Sequence, residues 1–263
     1  MLIVNLKNLS APELAPYASL TEAQLRRAGD DGIIIVESPK VILTALESGL
    51  QPLSLLCERK HIEGDAACII ERCPQDMPVY TGDRQTLASL TGYTLTRGVL
   101  CAMRRPQLPS ADEILQKGRR VCVIYDVCDS TNIGVIFRTA AALGFDGVIL
   151  SPESCDPFNR RCIRVSMGAV FKIPWCYDSD ILASLKSHGF KSISMALRDD
   201  SVSMADLRLP SDEKCGILLG SEGYGLPADI IAASDLVVRI PMHYGIDSLN
   251  VGAAAAIALW FLR

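Results

Sequence analysis

From residue 118 onward, short apolar runs alternate with helix-forming stretches, and this order limits the fold more than any other feature of the chain. RRVCVIYDV, GVILS, ISMAL, CGILLG and LVVRIPM read as strands. IGVIFRTAAALG, ILASLKSHG, ADIIAAS and SLNVGAAAAIALWFL read as helices. The strand runs are continuously apolar rather than apolar at every second position. Such strands need cover on both faces, which crossover helices supply in a parallel sheet. The expectation for residues 118–263 is an α/β domain with a mainly parallel sheet.

The N-terminal part reads as a smaller αβ unit. A helix is expected over SAPELAPYASLTEAQLRRAG, stopped by Gly29. GIIIVE is a strand, and PKVILTALESG is a helix with Pro39 in its first turn and Gly49 at its end. LSLLC, PVYTGD and RGVLCAMRR follow as strands, with a short helix RQTLASLTG between the last two. PQLPSADEILQK holds two prolines and a polar stretch. That places a linker at 107–117, between an N-terminal domain at 1–106 and the α/β domain at 118–263.

Composition excludes several classes. With 49% hydrophobic and 21% charged residues the chain is globular, not disordered. A net charge of −4 rules out a wholly basic nucleic-acid coat but leaves room for a local basic patch. The ten cysteines form no Cys-x-x-Cys, and the three histidines are His61, His188 and His243, so no metal site is expected. Cys57, Cys122 and Cys215 sit in or beside apolar runs and read as buried, reduced thiols. The first residues carry no basic segment of the signal-peptide kind, and no apolar run reaches the roughly 18–20 residues of a membrane span. A soluble, cytoplasmic protein is expected.

In a parallel sheet, ligands bind beyond the carboxyl ends of the strands, and three of those ends are unusual here. In the first, Asp129 to Ala140, Asn132 or Thr131 can cap the following helix. Arg138 interrupts an otherwise apolar helix and either snorkels to solvent or serves a site. In the second, Gly220-Ser221-Glu222-Gly223-Tyr224-Gly225, three glycines in six residues allow tight turning and close approach of backbone to a ligand. Its carboxylate suits a hydroxyl or a cation better than a phosphate, and it matches no phosphate-binding glycine motif. In the third, Arg239 to Val251, a strand stops at Pro241 and an alanine-rich helix follows. Ser248 is a candidate N-cap there, with Asn250 inside the helix, and His243 reads as a solvated loop histidine.

Taken together, N-x-G-x-x-x-R-T-A, G-S-E-G-x-G-L and I-P-M…S-L-N-V resemble the SpoU/TrmH methyltransferases, RNA ribose 2′-O-methyltransferases of the SPOUT superfamily. The match covers residues 118–263. GIIIVESPKVILTALESGL and LTRGVLCAMRRP resemble the family's small ribosomal-protein-like, RNA-binding accessory domain. Glu37-Ser38-Pro39 stands where that domain often has Glu-Gly, and Gly252 where the catalytic domain often has serine.

The resemblance implies a C-terminal trefoil knot, a homodimer and S-adenosyl-L-methionine as cofactor, with no metal. It implies cofactor contacts at Leu197, Gly220, Ser221, Gly223, Ile240, Met242, Ser248 and Leu249. It implies transfer of a methyl group to a ribose 2′-hydroxyl, with Arg138, Asn132, Glu222, Ser248 and Asn250 as catalytic positions. Because a guanidinium holds its proton, Arg138 is read as a bidentate phosphate ligand that orients the hydroxyl. Ribosomal RNA is preferred over transfer RNA on the accessory domain alone. The alternatives are a catalytically silent RNA-binding protein of the same fold, or an antibiotic-resistance methylase of ribosomal RNA. Two basic groups could contact RNA: Arg97, Arg104 and Arg105 with Lys117, Arg119 and Arg120, or Arg160, Arg161, Arg164 and Lys172, the second being preferred and placed in the catalytic domain. Trp260 and Phe261 either join the dimer face or pack on their own sheet.

Overall fold

The computed structural model describes residues 2–263 except Ser19, Gly29, Asp30, Asp31, Thr96, Arg97, Asp199 and Ser211. The expected helix stop at Gly29 and the candidate RNA ligand Arg97 lie outside the described residues. The chain forms two compact units, one of residues 1–107 with 158–171, the other of 108–157 with 172–263.

The first unit is built on five strands: β1 (Leu2–Asn5), β2 (Ile33–Glu37), β3 (Pro52–Glu58), β4 (Pro78–Gly82) and β5 (Val99–Arg104). Their order is β1-β4-β3-β5-β2, parallel from β1 to β3 and antiparallel through β5 to β2. Helices α1 (Ala15–Ala18), α2 (Glu22–Leu25), α3 (Pro39–Glu47), α4 (Ala67–Glu71) and α5 (Arg84–Thr91) accompany it. The single long helix expected near the N-terminus does not form. Within its span Pro12 opens a short 3-10 turn and Thr21 starts a new helix with a capping box to Gln24, and before it Leu2–Asn5 pairs with β4.

Residues 158–171 belong to this unit, which corrects the placing of the basic run NRRCIRV in the catalytic domain. The run forms helix α8 (Arg160–Val165) against β2. Glu37, at the end of β2, is buried, and a buried carboxylate needs a partner. Arg160 Nη2 lies 3.4 Å from its Oε2 and Arg164 Nη1 lies 4.0 Å away. Arg160 also covers the Tyr93 ring at 4.9 Å, and Arg105 covers Phe158 at 4.7 Å. Burial draws the Arg160 guanidinium below its ordinary range, while Glu37 and Glu22 oppose the shift.

The second unit holds seven strands: β6 (Arg120–Ile124), β7 (Gly147–Leu150), β8 (Trp175–Tyr177), β9 (Lys191–Met195), β10 (Val202–Ser203), β11 (Cys215–Leu219) and β12 (Leu236–Arg239). Every pairing is parallel, in the order β10-β12-β9-β11-β6-β7-β8. Helices α6 (Ala111–Lys117), α7 (Ser130–Ala142), α9 (Ile181–Ser187), α10 (Ala228–Ala233) and α11 (Val251–Leu262) complete it. The inner strands β7 and β11 are buried at every residue, as their continuous apolar runs require. The linker expected at 107–117 is instead largely helix α6. Ser110 and Glu113 form a capping box, and Ile114 and Leu115 enter the core.

Two predictions follow from the first unit. Ser38 takes φ +82°, ψ 140°, and its buried Oγ has no hydrogen-bond partner among the described residues. Glycine adopts this backbone without strain, so Ser38→Gly is expected to stabilise the protein by about 1 kcal/mol in urea unfolding, the relief of strain exceeding the entropy glycine adds to the unfolded chain. Arg160→Ala strands the Glu37 carboxylate. It should cost about 1–3 kcal/mol in the same measurement, less than a fully buried pair because Arg160 is partly solvated.

Candidate active site

The sheet order brings the carboxyl ends of β12, β9 and β11 side by side. Their registers pair Val238 with Met195 and Leu218 with Ser194, so the loops that follow start at similar heights. A cavity of about 360 Å³ opens there. Leu197, Gly220, Ser221, Gly223, Ile240, Met242, Ser248 and Leu249 all line it. Met195, Ala196 and Asp247 also line it, and sequence reasoning missed them. Asp247 adjoins Ser248 in the motif, but its place on the wall depends on how the loop folds.

The glycine loop closes on itself. Ser221 N–H donates to the Gly225 carbonyl at 3.1 Å, and Gly225 N–H donates back to the Ser221 carbonyl at 3.0 Å. A Cβ on Gly220 would lie 2.1 Å from the Gly225 carbonyl carbon and 2.2 Å from Leu226 N, so no side chain fits. The first glycine is therefore required by the loop's own closure.

The third loop, from Pro241 to Leu249, is different. Among the described residues its N–H groups make one backbone–backbone hydrogen bond, from Ile246 to the His243 carbonyl. Its other peptide groups remain available to a ligand. Apolar side chains, a close-approach loop and open peptide groups suit a mostly uncharged, flat ligand held largely by backbone.

A chain of side-chain hydrogen bonds joins the three motifs. Asn132 Nδ2 donates to Glu222 Oε1 at 2.6 Å. Asn250 Nδ2 donates to Asn132 Oδ1 at 3.0 Å. Asn250 Oδ1 accepts from Gly252 N at 2.9 Å and Ala253 N at 3.4 Å, capping α11. Two expectations are corrected here. The cap of α7 is Asp129, which accepts from Thr131 N at 2.7 Å, leaving Asn132 buried within the helix and directed at Glu222. The cap of α11 is Asn250, not Ser248, because only the Asn250 side chain reaches the first free N–H groups of that helix. Gly252 lets α11 approach α7, since a Cβ there would stand 3.0 Å from Val135 Cγ1.

A sequence model of the SpoU rRNA Methylase family matches residues 119–260. The chain belongs to that family. It is 35% identical over 235 residues to an uncharacterized tRNA/rRNA methyltransferase of Mycobacterium bovis, covering 87% of this chain and 80% of the relative. It is 33% identical over 181 residues to the 23S rRNA (guanosine(2553)-2′-O)-methyltransferase RlmP of Bacillus subtilis, covering 65% of this chain and 72% of RlmP. An AdoMet-bound rRNA methyltransferase from Sinorhizobium meliloti matches with a TM-score of 0.84 and 25% identity, over 99% of this chain and 97% of that one. The SpoU methyltransferase AviRb from Streptomyces viridochromogenes shares the fold, with a TM-score of 0.78 at 21% identity over 95% of each chain.

Within the SpoU unit, Arg138 is exposed on α7 and its guanidinium makes no hydrogen bond or ion pair among the described residues. It stands roughly 120° around the helix from Asn132 and about 9 Å further along, and it does not line the cavity. Lys172 is exposed. Arg119 and Arg120 donate backbone N–H bonds to Asp146 Oδ2, and the Arg120 guanidinium is taken up by the carbonyls of Leu262 and Glu213. Arg120 is thus a tie within the fold. In the other unit Arg104 Nε donates to Gln51, Arg105 sits on Phe158, and Arg160 and Arg164 face Glu37. Arg161 alone of its run is exposed without an ion pair among the described residues.

The hydrogen-bond chain predicts opposite results for two isosteric changes. Glu222→Gln keeps an acceptor for Asn132 and should leave thermal stability within a degree or two. Asn132→Asp sets two acceptors 2.6 Å apart and should cost about 1–3 kcal/mol, lowering Tm by roughly 2–4 °C per kcal/mol. Equal Tm values for the two variants would show that the chain of bonds carries no weight.

Proposed function

We propose that the protein is an S-adenosyl-L-methionine-dependent RNA methyltransferase that methylates a ribose 2′-hydroxyl, with ribosomal RNA as the substrate class. The observation that carries the reading is one cavity lined by all eight residues that correspond to the family's cofactor positions. The AdoMet-bound state of the Sinorhizobium meliloti enzyme and the ribose specificity in the name of RlmP support it. So does the presence of Arg138, Asn132, Glu222, Ser248 and Asn250, which favours a working enzyme over a silent RNA-binding protein.

When bound, the cofactor supplies an electrophilic methyl group on a sulfonium. Leu197, Ile240, Met242 and Leu249 form an apolar seat for the adenine, and the loop beginning at Gly220 brings backbone close to the ligand. The Asn132–Glu222–Asn250 chain holds that loop against α7 and the start of α11, fixing the wall against which the hydroxyl must align. Arg138, exposed and unpaired among the described residues, binds an RNA phosphate through two parallel N–H bonds and so orients the ribose. A phosphate oxygen or water takes the hydroxyl proton, because a guanidinium already holds its own.

The same reading includes a trefoil knot in the C-terminal segment and a homodimer. Trp260 and Phe261, each 54% exposed on the last turn of α11, provide an apolar surface for a second copy. It also includes RNA contact by the ribosomal-protein-like first unit. A cytoplasmic setting accords with ten cysteines in the free thiol form and with no helix among the described residues long and apolar enough to cross a membrane.

Calorimetric titration with S-adenosyl-L-methionine is expected to show binding at micromolar affinity. Arg138→Ala is expected to leave that affinity unchanged and to abolish methyl transfer to RNA from a strain lacking the enzyme. Normal transfer by the variant would remove Arg138 from the mechanism.

A further inference from the structure

The glycine loop has two sides. One side closes the cavity described above. The other faces a second cavity of about 400 Å³, lined by Asp126, Cys128 and residues 221–227. Tyr224 lines both.

Tyr224 is 98% exposed. A tyrosine usually buries much of its apolar ring, and this one buries almost none. A Cβ on Gly223 or Gly225, its two neighbours, would meet no atom within 4 Å. The ring is therefore presented at the tip of a closed loop with open space around it, the arrangement of a stacking surface that lacks its partner.

The charges of the second cavity decide what can enter. Its lining includes the carboxylates of Asp126 and Glu222 and contains no lysine or arginine. Ionised carboxylates only accept hydrogen bonds, so a phosphate is repelled. Asp126 is held in place: its N–H donates to Ser151 Oγ at 2.9 Å, and its Oδ1 accepts from the same hydroxyl at 2.7 Å. It also adopts φ +54°, a left-handed backbone that aspartate tolerates better than most residues. A ligand suited to this lining is uncharged, has a flat aromatic face and carries N–H donors on its edge. A nucleobase meets all three requirements.

We infer that the second cavity receives the base of an RNA nucleotide, with Tyr224 stacked on its face and Asp126 accepting an N–H from its edge. This rests on the RNA methyltransferase reading and adds the acceptor's site to it. The shared wall, Ser221 to Leu226, keeps such a nucleotide beside the cavity assigned to the methyl donor.

The test compares two fluorescein-labelled strands by anisotropy: a single-stranded oligoadenylate, and a ribose–phosphate strand of the same length without bases. The wild-type protein should bind the base-bearing strand about tenfold more tightly, the range of one stacked base. Tyr224→Ala should remove that preference while leaving affinity for the abasic strand unchanged, and Tyr224→Phe, which keeps the ring, should retain it. Equal binding of both strands by the wild type, or an undiminished preference in Tyr224→Ala, overturns the inference. Failure of the wild type to bind either strand overturns the RNA reading with it. A wild-type enzyme that methylates RNA, with the KM for RNA unchanged in Tyr224→Ala, overturns the stacking role alone.

Discussion

The site depends on a hydrogen-bond chain that can run in only one direction. Glu222, when ionised, can only accept, and the first N–H groups of α11 can only donate. Two asparagine amides lie between them, and each has one donating and one accepting end. The carboxylate fixes the first amide, the helix N-terminus fixes the second, and the two assignments agree where Asn250 Nδ2 meets Asn132 Oδ1. The amide orientations follow from chemistry at both ends and need no choice between flipped alternatives. Three segments separated by 90 and 118 residues are thereby held as one object.

What the chain of bonds holds is a wall that the sheet has already raised. Seven parallel strands put all their carboxyl ends on one edge, and the order β12-β9-β11 makes neighbours of three loops that lie far apart in sequence. Loop closure at Gly220 then leaves its backbone on that edge with no side chain in the way. Met195, Leu219 and Val238 of the cavity lie at or near the ends of β9, β11 and β12, while Ile231, Val251 and Ala254 reach it from α10 and α11. A polar tie behind an apolar wall suits selective binding, because the wall's position is set by groups that the ligand does not need to touch.

The parallel sheet of the second unit was legible in the sequence, since a strand apolar at every position has few other fates. The three loops were legible as well, and the structure places all eight candidate cofactor residues on one cavity. The helix caps were not. Asp129, Ser130, Thr131 and Asn132 all satisfy the same local capping rule, and so do Ser248 and Asn250. Which one caps and which reaches elsewhere is decided by contacts 90 and 118 positions away. The placing of residues 158–171 failed for a similar reason. Arg160 reads as a surface cation until β2 brings up a buried carboxylate 123 positions earlier in the chain. The expected N-terminal helix is broken up because Pro12 opens a 3-10 turn and Thr21 caps a separate helix.

That Glu37 pairing also bears on how an acidic protein can handle RNA. Several arginines that looked suited to phosphate are already engaged: Arg120 by carbonyls, Arg160 and Arg164 by Glu37, Arg105 by the face of Phe158. Of the cations read as RNA contacts, Lys117, Arg138, Arg161 and Lys172 are exposed and have no ion pair among the described residues. Each phosphate contact contributes a salt-dependent increment to affinity. Contacts that salt does not screen, such as ring stacking and hydrogen bonds to base edges, add to such increments. The Gly220–Leu226 loop ties its one carboxylate, Glu222, to Asn132 and presents the uncovered ring of Tyr224 at its tip.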